Sequence, residues 1–193
     1  MAYYKATTLA GHDLAHVASA FQKSIRRGLE EDALHWGVEL YQSNFAEYAW
    51  KRLRIITSED IGIAEPYLPA TIRALYDNWL DQRKKKDEKH APERLYFVHA
   101  IILLCRAKKS RIVDHALITF FENHERRDIP EFALDKHTLE GRRMGRGVEH
   151  FFADGIKLHP EPEIADAYEE RAKETLLRKE RGGTDEMQSE LFE

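Results

Sequence analysis

Apolar residues recur along this chain at three- and four-residue spacing, so nearly every segment between its polar breaks reads as one face of a helix. Val17, Phe21 and Ile25 follow each other every four residues in LAHVASAFQKSIRRG, with Asp13 placed to cap the start and Gly28 to end it. In EEDALHWGVELYQS, acids open the segment at the positive end of the helix dipole, and Leu34, Val38 and Tyr41 form its stripe. NFAEYAWKRLRIIT follows at once, with Asn44 as candidate N-cap and Ala49, Leu53 and Ile56 facing inward. So short a connection predicts an antiparallel helical pair. Pro66 and Pro69 punctuate a new start, after which Ile72, Leu75, Tyr76, Trp79 and Leu80 mark a fourth amphipathic helix. RLYFVHAIILLCRA is apolar nearly all round and predicts the central buried helix. SRIVDHALITFFENH predicts a sixth, with Ile112, Ala116 and Phe120 on one line and Val113, Leu117 and Phe121 beside it.

The pattern then changes. Gly141, Gly145, Gly147 and Gly155 interrupt DIPEFALDKHTLEGRRMGRGVEHFFADG, which argues against a long helix there, while its apolar residues predict an ordered, packed segment. After HPEPE, a charged helix with a thin apolar side at Ile164, Ala167, Tyr168 and Leu176 is expected, then a frayed end. No segment alternates with the period of a strand. The expected fold class is all-α: a compact bundle of about six or seven helices with an irregular glycine-containing segment and an appended charged helix. The expected division is a helical domain over residues 1–158 and an acidic helix and tail over residues 159–193.

Charge refines this picture. The net charge of −4 is uneven, because residues 160–193 hold eleven acids against five bases, leaving +2 for the first 159. Such a body approaches nucleic acid through local patches rather than through a dominant positive field. One cysteine, Cys105, excludes an internal disulfide and points to a reduced cytoplasmic setting. No signal peptide is visible, and the longest apolar run, Phe97–Cys105, is half the roughly 20 residues that cross a bilayer. No membrane association is expected.

Candidate chemistry is thin. No phosphate-binding glycine loop of either common kind is present. His12 and His16 in HDLAH have the i, i+4 spacing of two metal ligands on one helix face, and His12–Asp13 and Asp114–His115 offer His–Asp pairs. These support an alternative reading as an all-helical metal-dependent phosphohydrolase, but an ordered ligand set cannot be drawn, so neither metal nor cofactor is expected. Cys105 lies among leucines and reads as core. Glu59 and Asp60 in RLRIITSEDIGIAEP are adjacent carboxylates, yet neighbouring helical residues point about 100° apart and do not converge on one bond. Thr57 and Asp60 have capping-box spacing, and Gly62 can end or bend the helix. Three basic clusters remain: Arg83 to Lys86, Arg106 to Arg111, and Lys136 with Arg142, Arg143 and Arg146. Each is able to neutralise phosphates.

RLRIITSEDIGIAEP resembles the Arg-Leu-x-Arg-Ile-Ala-Ser-Glu-Asp-Ile-Gly-Leu-Ala-Asp-Pro signature in the C-terminal part of the RarA/MgsA family, replication-associated AAA+ ATPases related to the Werner helicase-interacting protein. SAFQKSIRRGLEEDALHW, Ser19 to Trp36, is similar to a second stretch of that family, in the right order and at the right distance. AKKSRIVDHAL and IPEFALDKHTLEGRRMGRG resemble later segments more loosely, with Lys108 standing where the family has proline and Arg111 where it has asparagine. The resemblance spans residues 13–155. It implies an all-helical assembly domain, with Arg52, Arg54, Ser58, Glu59, Asp60 and Gly62 as a structural motif rather than a catalytic one. It further implies a homo-oligomer, a tetramer by preference, acting in DNA replication or recombination without an ATPase core of its own. DNA, a separate AAA+ ATPase or another replication protein are the expected partners. Lys84, Lys85, Lys86, Lys108, Lys109 and Arg111 are the expected contact surface.

Overall fold

A computed structural model describes residues 6–84 and 91–182, and among these every regular element is helical. The chain divides into two compact units, residues 1–124 and 125–193.

The first unit holds six helices: α1 Leu14–Arg27, α2 Glu30–Leu40, α3 Ala46–Ile56, α4 Leu68–Lys84, α5 Glu93–Arg106 and α6 Ile112–Glu122. Asp13 caps α1 as its spacing predicts, accepting from the backbone N–H of Ala15 and His16. Gly28 ends it in the left-handed region at φ 69°, donating to Ile25 and Ser24 carbonyls. α5 carries Phe97, Ala100, Ile101, Leu104 and Cys105 into the core, and α1, α2, α3 and α4 all pack on it. Each fully buried side chain such as Phe21 or Leu53 contributes about 2 kcal/mol by leaving water. Trp50 anchors an aromatic cluster, its ring centroid 5.8 Å from Trp79 and 5.6 Å from Phe97.

Two expectations change. The buried stripe of α2 is Ala33, Gly37 and Leu40, one position from the expected Leu34, Val38 and Tyr41, of which Val38 is exposed and the others half-buried. The reason is close approach: a Cβ on Gly37 would lie 2.6 Å from Ile101 Cδ1 and 2.9 Å from Phe21 Cε2. The small residues therefore face the core and the larger ones flank it. Asn44 is not the N-cap of α3. It adopts φ 70°, ψ 17° within Tyr41–Phe45 and kinks the chain from α2 into α3, a conformation that asparagine tolerates better than most residues.

In the second unit, α7 spans Leu139–Arg143, α8 Val148–His150 and α9 Glu169–Arg181. Thr138 caps α7 through Gly141 N–H, and Gly141 is required because a Cβ there would fall 2.0 Å from the Asp135 carbonyl oxygen. Arg146, nearly buried, donates to the carbonyls of Glu131 at 2.6 Å and Leu134 at 2.8 Å, so the third basic cluster spends one of its charges internally. Glu180 of α9 accepts from Val148 N–H at 3.0 Å and holds α8 to α9. The charged helix begins at Glu169, later than its apolar residues imply; Ile164 and Tyr168 lie before it and are exposed. The expected frayed end, residues 183–193, lies outside the described residues.

Candidate assembly and partner-binding site

The Thr57–Ile61 segment continues α3 as a wider π turn, so the Ser-Glu-Asp run leaves the α3 axis before Gly62 stops it. Gly62 sits at φ 50°, ψ −125°, donating to Thr57 O, and a Cβ there would meet Val113 Cγ2 at 2.9 Å. Thr57 and Asp60 do not form a capping box. The Thr57 hydroxyl donates back to Leu53 O at 2.7 Å, and Asp60, fully buried, is turned toward α1.

There the two carboxylates meet arginines. Arg26 donates through Nε to Asp60 at 2.5 Å and through Nη2 to Glu59 at 2.9 Å, so one guanidinium fork spans both acids. Gln22 Nε2 donates to Asp60 at 3.2 Å, while Arg52 Nη2 donates to the side-chain Oε1 of Gln22. Arg111, at the start of α6, lies 3.8 Å from Asp60 and 3.9 Å from Glu59 and is also paired with Asp114. The bond to Asp60 holds the Arg26 guanidinium above its ordinary pKa. Ser110 N–H donates to Asp60 O at 3.0 Å, joining the same turn to the α5–α6 connection by backbone. The motif is a clasp of α1, α3 and α6, and its acids are committed to arginines.

Beside the clasp, α6 has no buried side chain. Its two apolar lines stay largely uncovered: Leu117 is 56%, Phe120 59% and Phe121 81% exposed, with Ile112, Val113 and Ile118 also open. Apolar residues cover about half the circumference of α6, more than its contacts with the turns around Gly62 consume. That excess width was the signal available in the sequence. Between α3 and α6 runs an open groove of about 520 Å³, lined by Lys51, Arg54, Ile55, Ser58 and Glu59 on one side and Val113, Asp114 and Leu117 on the other. Arg54 stacks over Tyr76, 4.6 Å from the ring centroid.

The predicted basic surface is rearranged. Lys109 is half-buried, its ammonium donating to the carbonyls of Leu104, Cys105 and Ala107 at 2.7–2.9 Å, where it caps the C-terminal end of α5. Burial pulls its pKa below the ordinary lysine value. Lys108 is exposed, and Lys84 is exposed with Asp81 at 3.4 Å. Lys85 and Lys86 lie outside the described residues. Lys23 and Arg27, one turn apart on α1, are further exposed basic residues, brought together by the helix rather than by a contiguous run in sequence.

Among the described residues no three His, Cys, Asp or Glu side chains converge as a metal site; His12 packs edge-on to Trp36 and His16 is exposed. No helix among them is long and apolar enough to cross a membrane.

No protein-family profile matches the chain. Replication-associated recombination protein A of Bacillus subtilis (strain 168) is 31% identical over 140 residues, covering 69% of this chain and 31% of that protein. The protein of the same name from Haemophilus influenzae is 27% identical over 150 residues, covering 75% of this chain and 31% of its own length. Over about 70% of its length the chain is homologous to replication-associated recombination protein A. It spans about a third of the length of these curated relatives.

Proposed function

We propose that this chain is a non-enzymatic, self-associating module of DNA replication or recombination that binds DNA or a replication protein. The observation that carries the reading is α6: a helix held to the body at its N-terminal end by the clasp, with six large apolar side chains open along it. A second copy of the chain is the occupant. With Ile55, these side chains offer on the order of 800 Å² of surface, comparable to one side of a standard specific interface. The names of its relatives support the replication or recombination setting, and the commitment of Glu59 and Asp60 to arginines supports a structural rather than catalytic use of the motif.

Light scattering coupled to size exclusion, across a concentration series, tests it. A defined multiple of 22.6 kDa is expected, four-fold by preference. Leu117→Asp places an unpaired charge on that face and should return the monomer with helicity intact. A wild-type monomer up to high micromolar concentration overturns the reading.

A further inference from the structure

The exposed face of α6 and the groove beside it are complementary to each other. Val113, Leu117 and Phe121 form one row at four-residue spacing, the ridge by which helices interlock. Val113 and Leu117 line the groove, whereas Phe121, at the far end of the row, stands out as a knob. A benzene-sized ring needs a cavity of about 150 Å³, well within the 520 Å³ available.

We propose, resting on the self-association reading, that two copies meet about a two-fold axis at Leu117 with their α6 helices antiparallel, each Phe121 ring filling the α3–α6 groove of the other copy. In that register Phe121, four residues after Leu117, is opposite Val113, four before it. Both knob and groove are then satisfied twice in one isologous contact, which a partner without the same face does not achieve. The charges agree. Glu122, one residue beyond Phe121, lies at the rim of the contact, and the α3 side of the groove carries Lys51 and Arg54 beside Glu59, which is already paired with Arg26, so each Glu122 meets bases of the other copy. A like pairing in parallel orientation puts the two Phe121 knobs against each other and leaves both grooves open.

Single-cysteine substitutions read this register directly, because the native Cys105 is buried. Leu117→Cys should form a disulfide-linked dimer by itself on mild oxidation. Val113→Cys and Phe121→Cys should cross-link to each other when the two variants are mixed, and far less when oxidised separately. Ile63→Cys, exposed but outside the groove, should not cross-link. Phe121→Ala, which removes the knob, and Ile55→Trp, which fills the groove, should each weaken association at least tenfold in light scattering, with thermal unfolding showing that both fold. A wild-type oligomer with no cross-link at Leu117, or with one at Ile63 instead, overturns the two-fold register while self-association stands. A wild-type monomer at all concentrations overturns both.

Discussion

At the scale of single residues, Asp60 and Glu59 are neighbours with different consequences. Asp60 is fully buried and answers Arg26, Gln22 and, at longer range, Arg111; Glu59 is a quarter exposed and its pair with Arg26 is partly screened. Removing one partner of a buried ion pair leaves the other charge uncompensated, typically at about 3–5 kcal/mol, whereas an exposed pair contributes about 0–1 kcal/mol. Asp60→Ala should therefore lower the denaturant midpoint severely, and Glu59→Gln only slightly. Equal effects of the two would mean that burial does not set the strength of the clasp. Cys105 provides an independent check on the core. Burial pushes its thiol up to about 11 from 9.0, so at pH 8 the native thiolate fraction is about a hundredfold below that of the unfolded chain. Alkylation should be slow in buffer and fast in denaturant. The same shift makes stability fall as pH rises from about 9 toward 11, because the unfolded chain releases this proton first.

At the scale of elements, Gly62 and Lys109 fix where α6 begins. A non-glycine residue at φ 50°, ψ −125° is strained, and a Cβ there also presses on Val113. Gly62→Ala should cost about 1–3 kcal/mol and loosen the N-terminal end of α6, visible as faster amide exchange in Ile112–Glu122 than in α5. Lys109 is the instructive case for reading a charge run. In sequence it belongs to a basic cluster, and only the turn of the chain after α5 places its ammonium on three carbonyls. Charge reversal at Lys109 or Arg111 would thus damage the fold before it reported on any ligand. The helices themselves were legible because four-residue periodicity and caps such as Asp13 and Gly28 are local. The stripe of α2 was displaced by one residue because the pattern ranks large residues as inward, while Gly37 faces the core through the closeness of Ile101 and Phe21.

At the scale of the whole molecule, the exposed cations decide whether DNA is a ligand. Lys84, Lys108, Lys23 and Arg27 are exposed, and each phosphate contact contributes about −0.9 to the slope of log affinity against log salt. Binding of duplex DNA should weaken steeply between low and moderate salt. Lys108→Glu should lower affinity for all sequences alike and flatten that slope, without changing stability. A salt-independent affinity would exclude phosphate contacts and leave a replication protein as the partner.

The all-α class, six helices of the first unit and the motif by which the chain resembles its relatives were determined by sequence, because helical period, caps and short motifs are written in short stretches. Tertiary structure decided the rest. It committed Asp60, Arg26 and Arg111 to one another across three helices, turned Lys109 inward, and left α6 apolar and uncovered. These outcomes depend on which distant elements meet, since a side chain's periodicity shows that it has an apolar face but not whether its own chain supplies the surface to cover it.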